Sequence, residues 1–559
     1  MSSFCLVRAP HARSAFVGAL IVLVAALSTA SCALYGNDDD SGGSSNGSDI
    51  PEERVWPELA QTPRLPIGMN LSELNYYSPF LLFTDAMTTA GDMISFTAGV
   101  WDSGKIDRIA RDSNGYPLSL PVSIDGEETR VRFLVNNHYS GRYRIVFEGN
   151  GTLGGSAQLI GTRWYIDLDG SGSNQYIEIL FSDGSNPVRN MRILPEAYVD
   201  ASTGSVDPDV PLFLSPVVDE LRKFSVIRFM DIQRTNFSVH RDWSDRPGPG
   251  YYSQATIRGM AHEYAIALCN ETGSDAWVCV PHMASDEYIR SMAALWKEGL
   301  RPDLKIYLEF SNEVWNFGFA QFHWIENKAE GGNLWGYDWP AAVDSYVIDD
   351  LKALSSVANY GFPERNAYMM ERTFRLWNEV FGAPERVINV ATGQSPWYDV
   401  TERVARYLDS NASGDARAEA LSVGGYFIYT QSDHNYWVTH PSHATPGLMM
   451  DRVLAAQEKM IPGGTWYDAK ECAAIAKKYE LDFLVYEGGQ HLQPYNQMDW
   501  PYNKALWDAQ IHEKMYRMYM LTFAEYVKPE VDCSLYVAFH FMGARKSKYG
   551  SWGHLESLA

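Results

Sequence analysis

The 559-residue chain is short of cysteine, of positive charge and of metal-ligand spacing, and each shortage removes a class of function. Of its six cysteines, Cys5 and Cys32 fall in the N-terminal segment, which leaves Cys269, Cys279, Cys472 and Cys533 for a folded body. None forms a CxxC pair, so a zinc ribbon or finger is excluded. Cys269 and Cys279 flank a Glu-Thr-Gly-Ser-Asp turn and are a candidate disulfide, with two buried free thiols as the equal alternative. Lys and Arg number 46 against 69 Asp and Glu, a formal charge of -23 that repels phosphate backbones and anionic lipid surfaces. Nucleic acid is therefore not an expected partner. No Gly-rich phosphate loop, HExxH string or Gly-x-Ser-x-Gly elbow stands out, so phosphoryl transfer, zinc proteolysis and serine hydrolysis lose support. Nothing calls for a metal or an organic cofactor.

What is present begins with an export signal over residues 1–32. Arg8, His11 and Arg13 precede an apolar run from Ala15 to Ala30, too short for a confident span of about 20 residues. Thr29-Ala30-Ser31-Cys32 resembles a bacterial lipobox in which Cys32 is lipidated, although Thr29 stands where Leu is usual. Residues 33–60, with Asp38-Asp39-Asp40 and a Gly/Ser/Asn tract, have too little apolar content to bury a core and suit a flexible tether. The chain is thus expected outside the cytoplasm, on a bacterial cell surface or outer membrane as a lipoprotein, or else secreted. Its only expected membrane contact is that anchor, and its oligomeric state is left open.

Pro66-Ile67-Gly68-Met69-Asn70-Leu71 looks like a first barrel strand, with a helix to follow inside residues 61–92. Short alternating runs then intervene, among them Thr129–Val135, Gly141–Phe147 and Tyr176–Phe181, punctuated by Gly, Asn and Asp. This is the pattern of a β-sandwich, expected over residues 93–200, and it has two readings, a carbohydrate-binding module or a structural brace. Asp167-Leu168-Asp169-Gly170-Ser171-Gly172 with Glu178 has EF-hand spacing, but strand-like flanks make it a hairpin turn instead.

Strand and helix alternate across residues 201–559. Strands are expected at Phe224–Met230, Ala276–His282, Lys305–Phe310, Arg386–Ala391, Ala420–Ile428, Leu481–Tyr486 and Cys533–Phe539, and a helix at Asp286–Gly299 capped by Ser285. Two strands end in the same way. Tyr307, Glu309, Ser311 and Glu313 share one side of the fourth, and Leu481 to Tyr486 runs into Glu487-Gly488-Gly489. In a barrel such ends gather at the C-terminal mouth, where active sites lie. Hydrolysis of a glycosidic bond requires a proton donor and, in retaining enzymes, a carboxylate nucleophile. The alternative for each Glu is a buried ion pair.

With Glu309 four residues before an Asn312-Glu313 pair, and a second strand-end Glu487, the chain resembles the clan A retaining glycoside hydrolases. The resemblance covers roughly residues 66–90 and 211–559 and implies a (β/α)8 TIM barrel, here with a jelly-roll-like β-sandwich inserted after the first strand. It implies Glu313 as acid/base, Glu487 as nucleophile, Asn312 on the sugar 2-hydroxyl, Arg228 beside the nucleophile and His282 in the sugar-binding shell. Tyr426 stands where the family has His-x-Tyr, with the His replaced by Gly424, and is either a hydrogen-bond donor to the nucleophile or a core aromatic. His282 is alternatively a core imidazole. The Trp expected after the last strand is absent from Val537–Gly543, and Trp552 follows later. Trp243, Trp315, Trp335, Trp339, Trp397, Trp437 and Trp500 fall in expected loops as candidate sugar platforms, Trp315 foremost. The implied partner is a carbohydrate and the implied activity is retaining hydrolysis, with a catalytically impaired surface carbohydrate-binding protein as the alternative.

Overall fold

The structure, a computed structural model, describes residues 54–59, 61–326, 344–494, 497–548 and 550–558. The export segment with Cys32, most of the tether, Trp335 and Trp339 lie outside the described residues. The chain divides into two compact units.

In chain order the strands are β1 (Ile67–Asn70), β2 (Ile94–Phe96), β3 (Val122–Ile124), β4 (Glu127–Val135), β5 (Ser140–Glu148), β6 (Gly151–Gly155), β7 (Gln158–Ile160), β8 (Arg163–Asp169), β9 (Gln175–Ser182) and β10 (Arg189–Pro195). They continue with β11 (Val226–Arg228), β12 (Asp275–Val280), β13 (Ile306–Phe310), β14 (Val387–Thr392), β15 (Ala420–Phe427), β16 (Asp482–Gln490) and β17 (Cys533–Ala538). β1 and β11 to β17 form a closed, all-parallel barrel in sequence order, with β17 paired back onto β1. Helices fall between successive strands from β11 onward, so the barrel unit has the (β/α)8 fold.

Alternation sorts the side chains. Ile306, Leu308 and Phe310 of β13 are fully buried on the helix side. Trp277, Cys279, Val390, Ala420, Leu484, Leu535 and Val537 fill the interior, with Tyr307 and Ile388 packed against them. The helix Asp286–Gly299 forms as its sequence dictates. The Ser285 hydroxyl accepts the Tyr288 N–H at the N-terminus, and Ile289, Met292, Ala293 and Trp296 make one buried face. Cys269 and Cys279 are both buried free thiols, which corrects the possible disulfide. Cys279 points into the barrel interior on β12, whereas Cys269 lies on the preceding helix, which packs outside such a barrel.

The second unit comprises Glu73–Glu220 with Arg246–Tyr264. Its two antiparallel sheets, β10-β5-β8-β7 and β2-β4-β9-β6 with β3 beside β4, share one core of Val131, Phe133, Tyr143, Ile145, Ile166, Ile177, Ile179 and Ile193. That is a sandwich. It is wider than residues 93–200, because coil segments without alternation also belong to it. Tyr252 lies in the sandwich core, and its hydroxyl accepts the Met93 N–H. The helix expected before residue 92 does not form. Among the described residues there, only a short 3-10 turn, Ala86–Thr89, occurs, with Ala86 and Met87 buried in the sandwich core. The Asp169 to Ser173 turn is not a hairpin either. β8 and β9 lie in different sheets, and Gly170 and Gly172, at φ of 75° and 70°, carry the chain across between them.

Candidate active site

Two strand ends are irregular where they meet the barrel mouth. After β13 the chain enters the left-handed region at Ser311 (φ 57°) and again at Glu313 (φ 41°). Such conformations cost about 1–3 kcal/mol each in non-glycine residues and cluster at functional sites. The kink suspends strand alternation, so Asn312 and Glu313 both reach the mouth. On β16 one extra residue is accommodated, since Val423 pairs with Val485 but Gly424 pairs with Glu487. This bulge turns two successive side chains, Tyr486 and Glu487, toward the same site. Gly488 allows it: a Cβ there would lie 2.4 Å from the Tyr536 hydroxyl and 2.6 Å from the Gly425 carbonyl oxygen.

Arg228, at the end of β11, is the hub and is fully buried. Its Nε and Nη2 donate to Glu309 Oε2 at 3.1 and 2.8 Å, and Nη2 also donates to Asn312 Oδ1 at 2.8 Å. Its Nη1 donates to Glu487 Oε2 at 2.9 Å and to Asn70 Oδ1 at 3.1 Å. All five guanidinium N–H groups are thereby used. Its Cζ lies over the rings of Trp277 and Tyr486, 5.7 and 5.2 Å from their centroids. Glu309 Oε2 further accepts the Trp277 indole N–H at 2.7 Å and the Cys279 thiol at 3.2 Å. Arg228 is thus wholly engaged by protein groups, and it lies beside Glu487 and positions both it and Asn312.

The two mouth carboxylates differ in their partners. Glu487 receives the Arg228 charge and, on Oε1, the Tyr426 hydroxyl at 2.8 Å. Among the described residues Glu313 receives only neutral donors, the Asn316 amide at 2.9 Å and the Tyr486 hydroxyl at 3.4 Å. Burial, followed by the negative charge of Glu487, pushes the Glu313 carboxyl up to about 8. Burial also raises Glu487 above its ordinary value, opposed by Arg228 and Tyr426. The ionic and phenolic donors favour the charged form at Glu487, whereas Glu313 lacks a direct cation. The arrangement provides one acid that keeps its proton near neutrality beside one anchored carboxylate.

Other expected residues fare unequally. Asn312 is buried, and its amide donates to Asn236 at 3.1 Å, so its side chain is already engaged on both sides. Trp315 is half-buried, two residues from Glu313. His282 is fully enclosed, with its ring 5.8 Å from that of Trp324, and burial pushes its imidazole down to about 3. It has no face open to a ligand, which corrects its expected role. Trp437 is likewise a core residue, packed on Tyr429 and Tyr502.

Several site residues were not assigned a role from sequence. Asn70, Asn316 and Tyr486 contact the hub or the carboxylates. Asp231, three residues after Arg228, is pushed up to about 7 by burial and by the charge of Glu487. Trp552 is brought back by a segment that hydrogen-bonds along 540–543, and its ring lies 5.9 Å from Phe539 and 5.6 Å from His491. The only sequence signal for Asp231 and Asn316 was proximity to a strand-end motif. For Tyr486 alternation pointed the wrong way, because the bulge was unforeseen.

The fold and site define a (β/α)8 barrel with two electrostatically unlike glutamates at its C-terminal mouth. No family model and no curated protein matches the chain. Among solved structures it is similar to the catalytic core of xylanase A, at 12% identity over 62% of this chain and 86% of that one, TM-score 0.31. It is similar also to a Clostridium thermocellum N-terminal endo-1,4-β-D-xylanase of CBM22-1 and GH10 modules, at 9% identity, covering 84% of this chain and 93% of that one, TM-score 0.35. A modular endo-β-1,4-mannanase from Cellulomonas fimi gives 11% identity over 64% of each chain, TM-score 0.30. The barrel expected from the resemblance to clan A is the fold of this chain, established by its own strand order.

Proposed function

We propose that the chain is an exported retaining glycoside hydrolase that cleaves O-glycosidic bonds of a polysaccharide or oligosaccharide by double displacement. The observation that carries this reading is the unlike environment of the two glutamates. A carboxylate held by Arg228 and Tyr426 is kept available to attack, while one held by neutral donors keeps a proton to give.

In the first step a Glu487 oxygen forms a bond to the anomeric carbon. The glycosidic C–O bond breaks, its electron pair goes to the leaving oxygen, and that oxygen takes the Glu313 proton. Glu313, now a carboxylate beside an esterified and neutral Glu487, removes a proton from water. The water oxygen bonds to the anomeric carbon, and the ester bond breaks to restore Glu487. The first step consumes the negative charge of Glu487, which lowers the affinity of Glu313 for its proton as that proton leaves. Asn312, held by Arg228, and the half-buried Trp315 flank the position of the sugar. Titration with a mechanism-based 2-fluoro glycoside, followed by peptide mass mapping, tests the assignment. The label is expected on Glu487, and a label on any other residue of an active preparation would overturn it. Sugar binding that survives Gln at both glutamates, with no hydrolysis of any glycan by the wild type, would leave a binding protein instead.

The export reading adds a lipid anchor at Cys32. Metabolic labelling with a fatty-acid probe tests it: Cys32→Ala should abolish incorporation, and undiminished incorporation would reject the anchor.

A further inference from the structure

The turn that presents Glu313 is held by a buried amide that takes no part in the bond changes. Gln321 lies in the first turn of the helix Ala320–Glu326, which follows β13, and is fully buried. Its Nε2 donates to the Asn312 carbonyl oxygen at 2.8 Å and to Asn236 Oδ1 at 2.6 Å, and its Oε1 accepts the Phe237 N–H at 3.3 Å. Both amide hydrogens are thus used. The orientation is fixed as well, because a flipped amide would set its NH2 against the Phe237 N–H and its oxygen against two acceptors.

The Asn312 carbonyl belongs to the peptide unit that joins Asn312 to Glu313. That unit sits in the turn containing the left-handed residues Ser311 and Glu313, at φ of 57° and 41°. Such conformations persist only where the surrounding structure over-determines them. The Ser311 N–H is tied to the Val280 carbonyl and the Glu313 carbonyl accepts the Asn316 N–H, but these bonds hold the neighbouring peptide units. Among the described residues the bond from Gln321 is the only hydrogen bond of the Asn312–Glu313 unit. Asn236, in the loop after β11, is its second anchor, since Asn236 Oδ1 also accepts the Asn312 side-chain amide at 3.1 Å. The next residue, Phe237, stands its ring 5.7 Å from that of Phe319, edge to face, so the loop packs against the turn that it supports.

A proton donor works only within hydrogen-bond reach of the oxygen it protonates, and a displacement of about 1 Å costs up to about a hundredfold in rate. Rotation of the Asn312–Glu313 peptide would carry the Glu313 carboxyl away from the Asn316 and Tyr486 donors that now hold it.

We infer that Gln321 is a positioning residue for the proton donor: by fixing the Asn312–Glu313 peptide, with Asn236 as its second anchor, it sets where the Glu313 carboxyl meets the leaving oxygen. The inference rests on the reading of Glu313 as acid/base.

The test uses the full chain and the phenyl and dinitrophenyl glycosides of glucose, xylose, mannose and galactose, read on the sugar that the wild type cleaves. A phenyl group needs a proton to leave, whereas a dinitrophenyl group leaves as a stable anion, so a lost or displaced acid is felt mainly on the first. Glu313→Gln sets the scale: the ratio of kcat/KM for the dinitrophenyl over the phenyl glycoside should rise about thirtyfold or more. Gln321→Met keeps the side-chain length and removes the three bonds. It should lower kcat/KM on the phenyl glycoside about tenfold or more and raise the ratio about threefold or more. Asn236→Ala, at a half-buried position, should raise the ratio about twofold or more, and it decides should a urea melt show that Gln321→Met does not fold. Equal losses on both glycosides, or a ratio that neither variant moves, would leave Gln321 a support of the fold and overturn the inference. That result beside the expected rise in Glu313→Gln rejects the inference alone. A ratio unmoved in Glu313→Gln, or a wild type that cleaves none of the glycosides, rejects the acid/base reading and the inference with it.

Discussion

Replacing Tyr426 by Phe isolates the electrostatics of the proposed nucleophile. The hydroxyl donates to Glu487 Oε1 at 2.8 Å, and the ring packs near His491 and Phe539, with centroids 5.1 and 6.0 Å away. Phe keeps those ring contacts and deletes one hydrogen bond to a charged acceptor, a loss of about 1.5–3 kcal/mol. At about 1.4 kcal/mol per pKa unit, the Glu487 carboxyl rises by about 1–2 units. Burial already holds it above its ordinary value, with Arg228 and Tyr426 as the opposing influences, so removing one of them acts in the upward direction. Glu487 attacks only when ionised. The acid limb of the kcat/KM profile should therefore move up by about 1–2 pH units. The basic limb belongs to Glu313, pushed up to about 8 by burial and Glu487, and should stay in place. The assay is kcat/KM on an aryl glycoside across about pH 4 to about pH 10, with a urea melt to show that the fold persists. An acid limb that does not move, or two limbs that move together, would refute the division of roles between the glutamates.

Three other outcomes are expected. With Glu313 pushed up to about 8 from an ordinary 4.5, the folded chain holds a proton between those pH values that the unfolded chain has released, so stability falls as pH rises through that window. Glu313→Gln, which has nothing to release, should be more stable than wild type at pH 7 by about 1–3 kcal/mol, the full shift being discounted for the half-open mouth, and should lose that advantage below about pH 4.5 while hydrolysis falls by about a hundredfold or more; urea titration at several pH values checks the sign. Arg228→Met leaves Glu309 and Glu487 buried without their cation and should lower stability by about 3–5 kcal/mol, read from the urea midpoint, and an unchanged midpoint would contradict the hub. Cys269, Cys279, Cys472 and Cys533 should resist thiol reagents in the native state and all react once unfolded, with no mass change on reduction, whereas a gain of two mass units on reduction would restore the disulfide.

The barrel was readable because burial imposes itself on composition. A strand covered on both faces becomes a short run of apolar, often β-branched residues, and eight such runs separated by helix-length segments admit few closures. The helix Asp286–Gly299 was readable for a similar reason, since its cap, its apolar stripe and its final glycine agree. Alternation failed where a backbone irregularity broke its premise. Left-handed Ser311 and Glu313 and the bulge at Glu487 put neighbours on the same side, and period-two reasoning excludes this. Segments that belong to a core without being strands, such as Ala86–Thr89 and the stretch around Tyr252, were invisible because they have no period at all.

The chemistry was legible residue by residue but not as a network. Arg228 joins Glu309, Asn70 and Glu487 across separations of 81, 158 and 259 residues, and no local pattern encodes that one guanidinium distributes five hydrogens among four acceptors. The distribution matters because it fixes how much positive charge is left for the nucleophile. Two N–H groups are spent on Glu309, whose Oε2 also takes the Trp277 and Cys279 hydrogens, so Glu309 is the internal counter-ion and Glu487 receives a single charged bond. A carboxylate fully neutralised by a two-pronged arginine would be a poor nucleophile. One charged bond and one phenol keep Glu487 ionised and still free to leave that geometry for the anomeric carbon.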